Sequence, residues 1–137
     1  MTLKEFLTSG DRFAAENGIT LDSVTPGHAT ASLKVEKRHL NAGGVCQGGA
    51  IFTLADLVFA ALVNQGTNLT FSINSTVYYL APAKEGDILT ATGNLIFPHH
   101  RLPAVEVKVT NGEGTLIALF TGQASSGKMP NGFSGLE

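Results

Sequence analysis

Residues 50–63 read AIFTLADLVFAALV, apolar everywhere except Thr53 and Asp56, and this stretch decides the fold. Fourteen residues fall short of the roughly 20 needed to cross a bilayer. The mix of Leu, Ala, Phe and Ile favours a helix over a strand, and Asn64-Gln65-Gly66 supplies its stop. A helix apolar on all sides is expected to be buried on all sides. In a chain of 137 residues, a neighbouring β-sheet must then wrap it.

The surrounding charge pattern points the same way. Of the 45 residues between Arg38 and Lys84, Asp56 is the only Asp, Glu, Lys or Arg. The middle third is therefore core, and it holds a single carboxylate. The length suits one domain, and 43% hydrophobic residues are ample for its core. A formal charge of −2 without any basic run argues against a nucleic-acid partner. One cysteine, Cys46, excludes an intramolecular disulfide and a cysteine-rich metal site. The opening MTLKEFLTSGDRF carries charges where a signal peptide needs an apolar run, so the expected location is cytoplasmic, with no membrane partner.

Outward from the helix, six strands are expected. Ile19–Val24 is the first, and His28–Glu36 alternates with Ala29, Ala31, Leu33 and Val35 on one face. Leu69–Leu80, Asp87–Phe97, Ala104–Thr110 and Thr115–Gln123 follow, the last two joined by a hairpin at Asn111-Gly112. A short amphipathic helix over Leu3–Leu7, with Phe13 and Ala14, precedes them. The expected architecture is α+β, one long buried helix followed by an antiparallel meander. Residues 1–125 form the single domain, and the Gly- and Ser-rich residues 126–137 a flexible C-terminal tail.

Asp56 is the first candidate for chemistry. A buried carboxylate costs several kcal/mol unless it is paired or accepts hydrogen bonds, and no Lys or Arg lies within 17 positions of it. Either it faces a polar groove or hydroxyls such as that of Thr53, or it is a working acid, base or nucleophile in an apolar pocket. Gln47-Gly48-Gly49 lies at the helix entrance, where backbone N–H groups lack intrahelical acceptors. The glycines either make a tight turn or let a ligand approach that backbone, where the helix dipole favours an oxygen gaining negative charge. Gly49 and Asp56 are seven residues apart, roughly 10 Å along a helix axis. That is too far for both to act on one carbon, so a shared role requires Asp56 to serve the helix entrance of a second subunit.

The run His39-Leu40-Asn41-Ala42-Gly43-Gly44-Val45-Cys46-Gln47-Gly48-Gly49, followed by Asp56, resembles the H-x-N-x-x-G-x-x-H-G-G-x₆-D motif. That motif belongs to hotdog-fold acyl-CoA thioesterases of the phenylacetic-acid-degradation type. The likeness continues through Ser72 and Tyr79-Leu80-Ala81-Pro82 with Gly86-Asp87, and covers about residues 10–124. The resemblance implies a hotdog fold, a homodimer and often a homotetramer, and hydrolysis of an acyl-CoA thioester. It requires no cofactor, coenzyme A being part of the substrate, and no metal. By position, Asp56 is the implied general base or nucleophile and the Gly49 N–H polarises the thioester carbonyl. Asn41 orients the carboxylate or the water, and Ser72 bonds the water beside Asp56. Arg101, Lys84, Lys37, Arg38 and His100 are the implied partners of the coenzyme A phosphates.

One position departs from the motif. Gln47 stands where the family has His, and glutamine can donate a hydrogen bond but cannot titrate. If that position only places the carbonyl, activity survives. The alternatives are a non-catalytic acyl-CoA-binding hotdog protein, a hotdog dehydratase or hydratase, and a structural assembly domain. The dehydratase needs a His paired with a carboxylate. As other uses of candidate residues, His99-His100 is a weak metal pair without a third ligand, and Cys46 reads as a small packed residue.

Overall fold

The computed structural model describes all residues, 1–137. In chain order they form α1 (Leu3–Gly10), α2 (Arg12–Glu16), β1 (Ile19–Thr25), β2 (His28–Lys34) and a 3-10 turn (Lys37–His39). Then come α3 (Gly48–Val63), β3 (Asn68–Tyr79), β4 (Ile88–Phe97), β5 (Ala104–Thr110) and β6 (Leu116–Pro130). The strands make one antiparallel sheet in the order β1-β2-β4-β5-β6-β3. It curls around α3, which touches all six strands. No helix is long and apolar enough to cross a membrane.

Burial of α3 drives this arrangement. Ile51, Leu54, Leu57, Val58, Phe59 and Leu62 are all buried, each stabilising the fold by about 1.5–3 kcal/mol. The helix comes so close to the sheet that two strand positions admit no side chain. A Cβ on Gly93 of β4 would lie 2.5 Å from Val58, and one on Gly122 of β6 would lie 2.8 Å from the Phe59 ring. Phe120 of β6 then packs edge-on against Phe52 and tilted against Phe59, with centroids 5.5 and 5.6 Å away.

The ends of α3 are closed differently. At its C-terminus the buried Asn64 donates from Nδ2 to the carbonyls of Ala60 (3.0 Å) and Thr70 (3.2 Å). Its Oδ1 accepts the Thr70 N–H at 2.8 Å. One side chain thus stops the helix and starts β3. At the N-terminus Gln47 is the cap, and its side-chain oxygen accepts the Gly49 N–H.

Four expectations need correction. The N-terminal helix is two: Asp11 closes α1 through its N–H to the Leu7 carbonyl (3.0 Å), and its carboxylate opens α2 by accepting the Ala14 N–H (3.1 Å). The helix α3 is not buried all round, because Gly49, Thr53, Asp56 and Ala60 form a less covered stripe at i, i+4, i+7 and i+11. The strands after α3 are not a simple meander. Only β4-β5-β6 is one; β3 pairs with β6 alone and forms the far edge of the sheet. The fourth is the tail. β6 continues to Pro130, and the last residues dock on the N-terminus, Leu3 and Lys4 donating to the carbonyls of Gly135 and Leu136 at 2.9 Å each. Phe133 packs against Phe6 with ring centroids 5.0 Å apart. Glu137 accepts the Val24 N–H of β1, a bond that holds its carboxyl below the usual carboxylate range.

Candidate active site

The loop from the 3-10 turn to α3 is built on two side chains. His39 is 3% exposed. Its Nδ1 accepts the Glu36 N–H (2.9 Å), and its Nε2 donates to the Asn17 carbonyl (2.7 Å). Both ring nitrogens therefore hold backbone, in the neutral tautomer with its proton on Nε2. Asn41 does the same for the glycines: its Oδ1 accepts the N–H groups of Gly43 (2.9 Å) and Val45 (3.3 Å). The Gln47 N–H donates to the His39 carbonyl at 2.7 Å and the Cys46 N–H to the Ala83 carbonyl at 2.8 Å. The α3 entrance is thereby fixed on both sides. Burial raises the Cys46 thiol above its ordinary range, which fits a packed residue and opposes a thiolate.

Two clefts flank this entrance. The first, about 590 Å³, is lined by Gln47, Gly49, Ala50, Phe52 and Thr53 of the helix start, with Phe13, Asn17, Arg38, His39, Leu40 and Tyr79. It contains no carboxylate. The second, about 400 Å³, is mostly apolar and is lined by Asn41, Val45, Cys46, Gly48, Ile51 and residues 79–83. Tyr79 belongs to both. Its hydroxyl donates to the Gly48 carbonyl at 2.9 Å, and its ring occupies the space a Gly48 side chain would need, 2.9 Å from an ideal Cβ. Gly48 is thus a glycine because a tyrosine lies on it.

Asp56 sits on the same stripe as Gly49 but about 10 Å further along the axis, and it does not line the first cleft. It accepts no hydrogen bond from this chain, and Thr53 donates to the Gly49 carbonyl (2.7 Å) instead. The hydroxyl partner considered for Asp56 is therefore engaged elsewhere. Burial raises the carboxyl above its usual range, and the negative charge of Asp11 raises it further. Ser72 lies exposed on β3 opposite Ala124, away from both clefts at the entrance.

The candidate phosphate partners fall into two groups. Lys37 and Arg38 lie on the 3-10 turn near the N-terminus of α3, and Lys84 is in the turn beyond β3, beside Ala83. Arg38 is already engaged, donating to the Glu16 carbonyl at 2.7 Å and pairing with Glu36 at 3.1 Å. His100 and Arg101 are in the β4–β5 loop. There His99 accepts the N–H groups of Arg101 (3.1 Å) and Leu102 (3.0 Å). His99 and His100 border a third cleft of about 420 Å³ with Leu62, Val63 and Thr70, at the C-terminal end of α3. The 16-residue helix separates the two groups by about 24 Å, so one chain does not unite them. No group of three or more His, Cys, Asp or Glu is placed to hold a metal ion.

Several residues were not singled out from sequence. Tyr79 is the main one; its signal is a pair of adjacent glycines at a helix start, which implies a bulky neighbour. Asp11 carried no signal, since its role depends on contacts that only the fold creates; Asn64 was legible as part of the helix stop, but its bonds to Thr70 of β3 were not. Residue type alone makes core or pocket wall of Phe59, Phe71 and Tyr78; Phe59 is buried, whereas Phe71 and Tyr78 are 68% and 54% exposed on β3.

Comparison with known proteins places this geometry. The thioesterase superfamily model matches residues 43–118, from the glycine loop to the start of β6. The chain is 30% identical over 114 residues to the acyl-coenzyme A thioesterase PaaI of Escherichia coli strain K12, covering 83% of this chain and 81% of that protein. The solved structure of the E. coli PaaI protein from the phenylacetic acid degradation operon superposes with a TM-score of 0.86 at 26% identity, covering 94% of this chain and 99% of that one. A Streptococcus mutans UA159 protein bound to acetyl CoA superposes with a TM-score of 0.77 at 26% identity, over 80% of this chain and 89% of that one. With its helix entrance, its curled antiparallel sheet and these relatives, the chain belongs to the thioesterase superfamily, has the hotdog fold and is a thioester hydrolase.

Proposed function

We propose that this protein hydrolyses acyl-CoA thioesters in composite sites, each built by two copies of the chain. The observation that carries this reading is a separation. The first cleft has the helix-entrance N–H but no carboxylate, while Asp56 lies on the same face of α3 about 10 Å away, without a partner in its own chain. A two-fold pair with antiparallel α3 helices brings Asp56 of the partner subunit to the entrance, twice per dimer. The same operation sets His100 and Arg101 of the partner subunit beside Lys37, Arg38 and Lys84. That gathers the two basic groups around one coenzyme A.

The free edge of β3 supports self-association. It is 12 residues long, is paired on one side only, and exposes Phe71, Ile73 and Tyr78. Unprotected edges of this kind template pairing with another chain. A homodimer, and a homotetramer made from two of them, is the assembly this reading adopts. The acetyl CoA bound to the S. mutans neighbour supports the substrate class, and the reading places the protein in the cytoplasm.

In the reaction, Asp56 takes a proton from water and the water oxygen attacks the thioester carbon. The carbonyl oxygen becomes an oxyanion, held by the Gly49 N–H at the positive end of α3. Because the Gln47 side chain caps that N–H, the substrate carbonyl replaces the Gln47 oxygen there. The tetrahedral intermediate then collapses, the C–S bond breaks, and the thiolate takes the proton from Asp56. Asn41 holds the glycine loop in place, and Ser72 of the partner subunit bonds the water beside the partner subunit's Asp56. The dehydratase alternative loses support because His39, at the entrance, has both ring nitrogens bound to backbone.

The test is release of coenzyme A from short-chain, long-chain and aromatic acyl-CoAs. Turnover in the wild type with a loss of roughly 100-fold or more in Asp56→Ala is expected. Binding without turnover would favour the non-catalytic alternative. Mixing Asp56→Ala with Gly49→Pro subunits tests the composite site directly, since a hybrid dimer retains one intact pair and regains activity.

A further inference from the structure

We propose that Tyr79 is the wall that limits acyl-chain length, and that the second cleft is a reserve of apolar space on its far side. The inference rests on the thioesterase reading and deepens it. The reacting carbonyl is placed at the Gly49 N–H, on the side of the first cleft. An acyl chain running from there follows Leu40, Phe52 and Phe13 and meets Tyr79, the one side chain that borders both clefts. Beyond it lies a space of about 400 Å³ whose walls include Val45, Ile51, Leu80 and Ala81. Such a surface suits methylene groups and offers no charge to anything else. The polar side chain in that wall, Asn41, already has its Oδ1 bound to two backbone N–H groups.

Tyr79 is suited to act as a fixed divider. Its ring rests on Gly48, where a Cβ would come within 2.9 Å, and its hydroxyl is tied to the Gly48 carbonyl at 2.9 Å. It is held at both ring and tip, so a chain too long for the first cleft meets this ring before it reaches the second. Removing the ring joins the two clefts. The anchoring hydroxyl alone is a lesser matter, because the ring still fills the gap.

The experiment compares kcat/KM across a series from acetyl-CoA to palmitoyl-CoA in the wild type, Tyr79→Ala and Tyr79→Phe. Tyr79→Ala is expected to move the preferred length upward, raising the long-to-short ratio roughly tenfold or more, the usual scale for methylenes gained in an apolar pocket. Tyr79→Phe is expected to keep the wild-type profile. An unchanged profile in Tyr79→Ala, or an equal shift in Tyr79→Phe, overturns the proposal. Tyr79→Leu decides the same question if the alanine variant does not fold. A wild type that turns over no acyl-CoA would sink the thioesterase reading instead. Calorimetric binding of non-hydrolysable acyl-CoA thioethers to wild type and variant would then still decide whether Tyr79 limits chain length.

Discussion

The two ends of α3 solve the same problem in opposite ways. Every helix end leaves backbone groups unpaired. At the C-terminus, Asn64 satisfies both helix and strand through three hydrogen bonds from one buried side chain. At the N-terminus, the Gly49 N–H is held by the flexible amide of an exposed residue, Gln47, with open clefts on either side. One end is closed by partners that nothing can displace without unfolding; the other by a partner a ligand can replace. On the proposed reading, stability and reactivity are placed about 24 Å apart on a single element.

Four experiments test this contrast. The largest effect is expected at the N-terminal end: Gly49→Pro deletes the N–H and lowers kcat by roughly 100- to 1,000-fold, the scale of a lost oxyanion donor, with little change in urea midpoint. At the opposite end, Asn64→Ala leaves buried groups unpaired and costs about 1–3 kcal/mol. Urea unfolding should show this loss, while kcat per folded molecule stays near wild type. A similar cost in the Gly49 variant would erase the distinction between the ends.

The third experiment concerns Asp56, whose carboxyl is raised first by burial and then by Asp11. A base must be ionised, so kcat/KM should fall as pH drops through this raised value, at higher pH than for an ordinary aspartate. The folded state holds the proton more tightly than the unfolded one, so ionisation of Asp56 destabilises the fold as pH rises through that range. Asp56→Asn should therefore lose turnover yet unfold at a higher temperature at neutral pH. The smallest effect is expected for Asp11→Asn. It keeps the α2 cap and removes the like charge, so the acid limb of the pH–rate profile should move to lower pH. An unmoved limb would show that Asp11 is too far from Asp56 to matter.

Local features were legible from sequence, and relations between distant segments were not. The α3 run, the alternation in β2 and the Gly49–Asp56 spacing all depend on neighbours in the chain, and the structure places them within a few residues of expectation. The position of β3 depends on pairing with β6, some 50 residues later, and no local pattern encodes that. The apolar character of Phe71 and Tyr78 suggested core, because sequence does not say whether an apolar face is covered by its own chain. The tail looked loose by composition, but its backbone finds partners in α1 and its last side chain finds one in β1. The basic residues could be picked out as cations, but not as two groups at opposite ends of a helix, nor could Arg38 be seen to be occupied.

The docking of residues 133–137 onto α1 has a further consequence. The Ser134 N–H donates to the carbonyl of Met1 at 3.1 Å, so residue 1 and residues 133–137 lie side by side. A short peptide bridge could join them into a closed ring, and new termini could be opened at the exposed Gly112–Gly114 bend. Such a rearranged chain would keep every contact around α3 while changing the order in which the strands are synthesised.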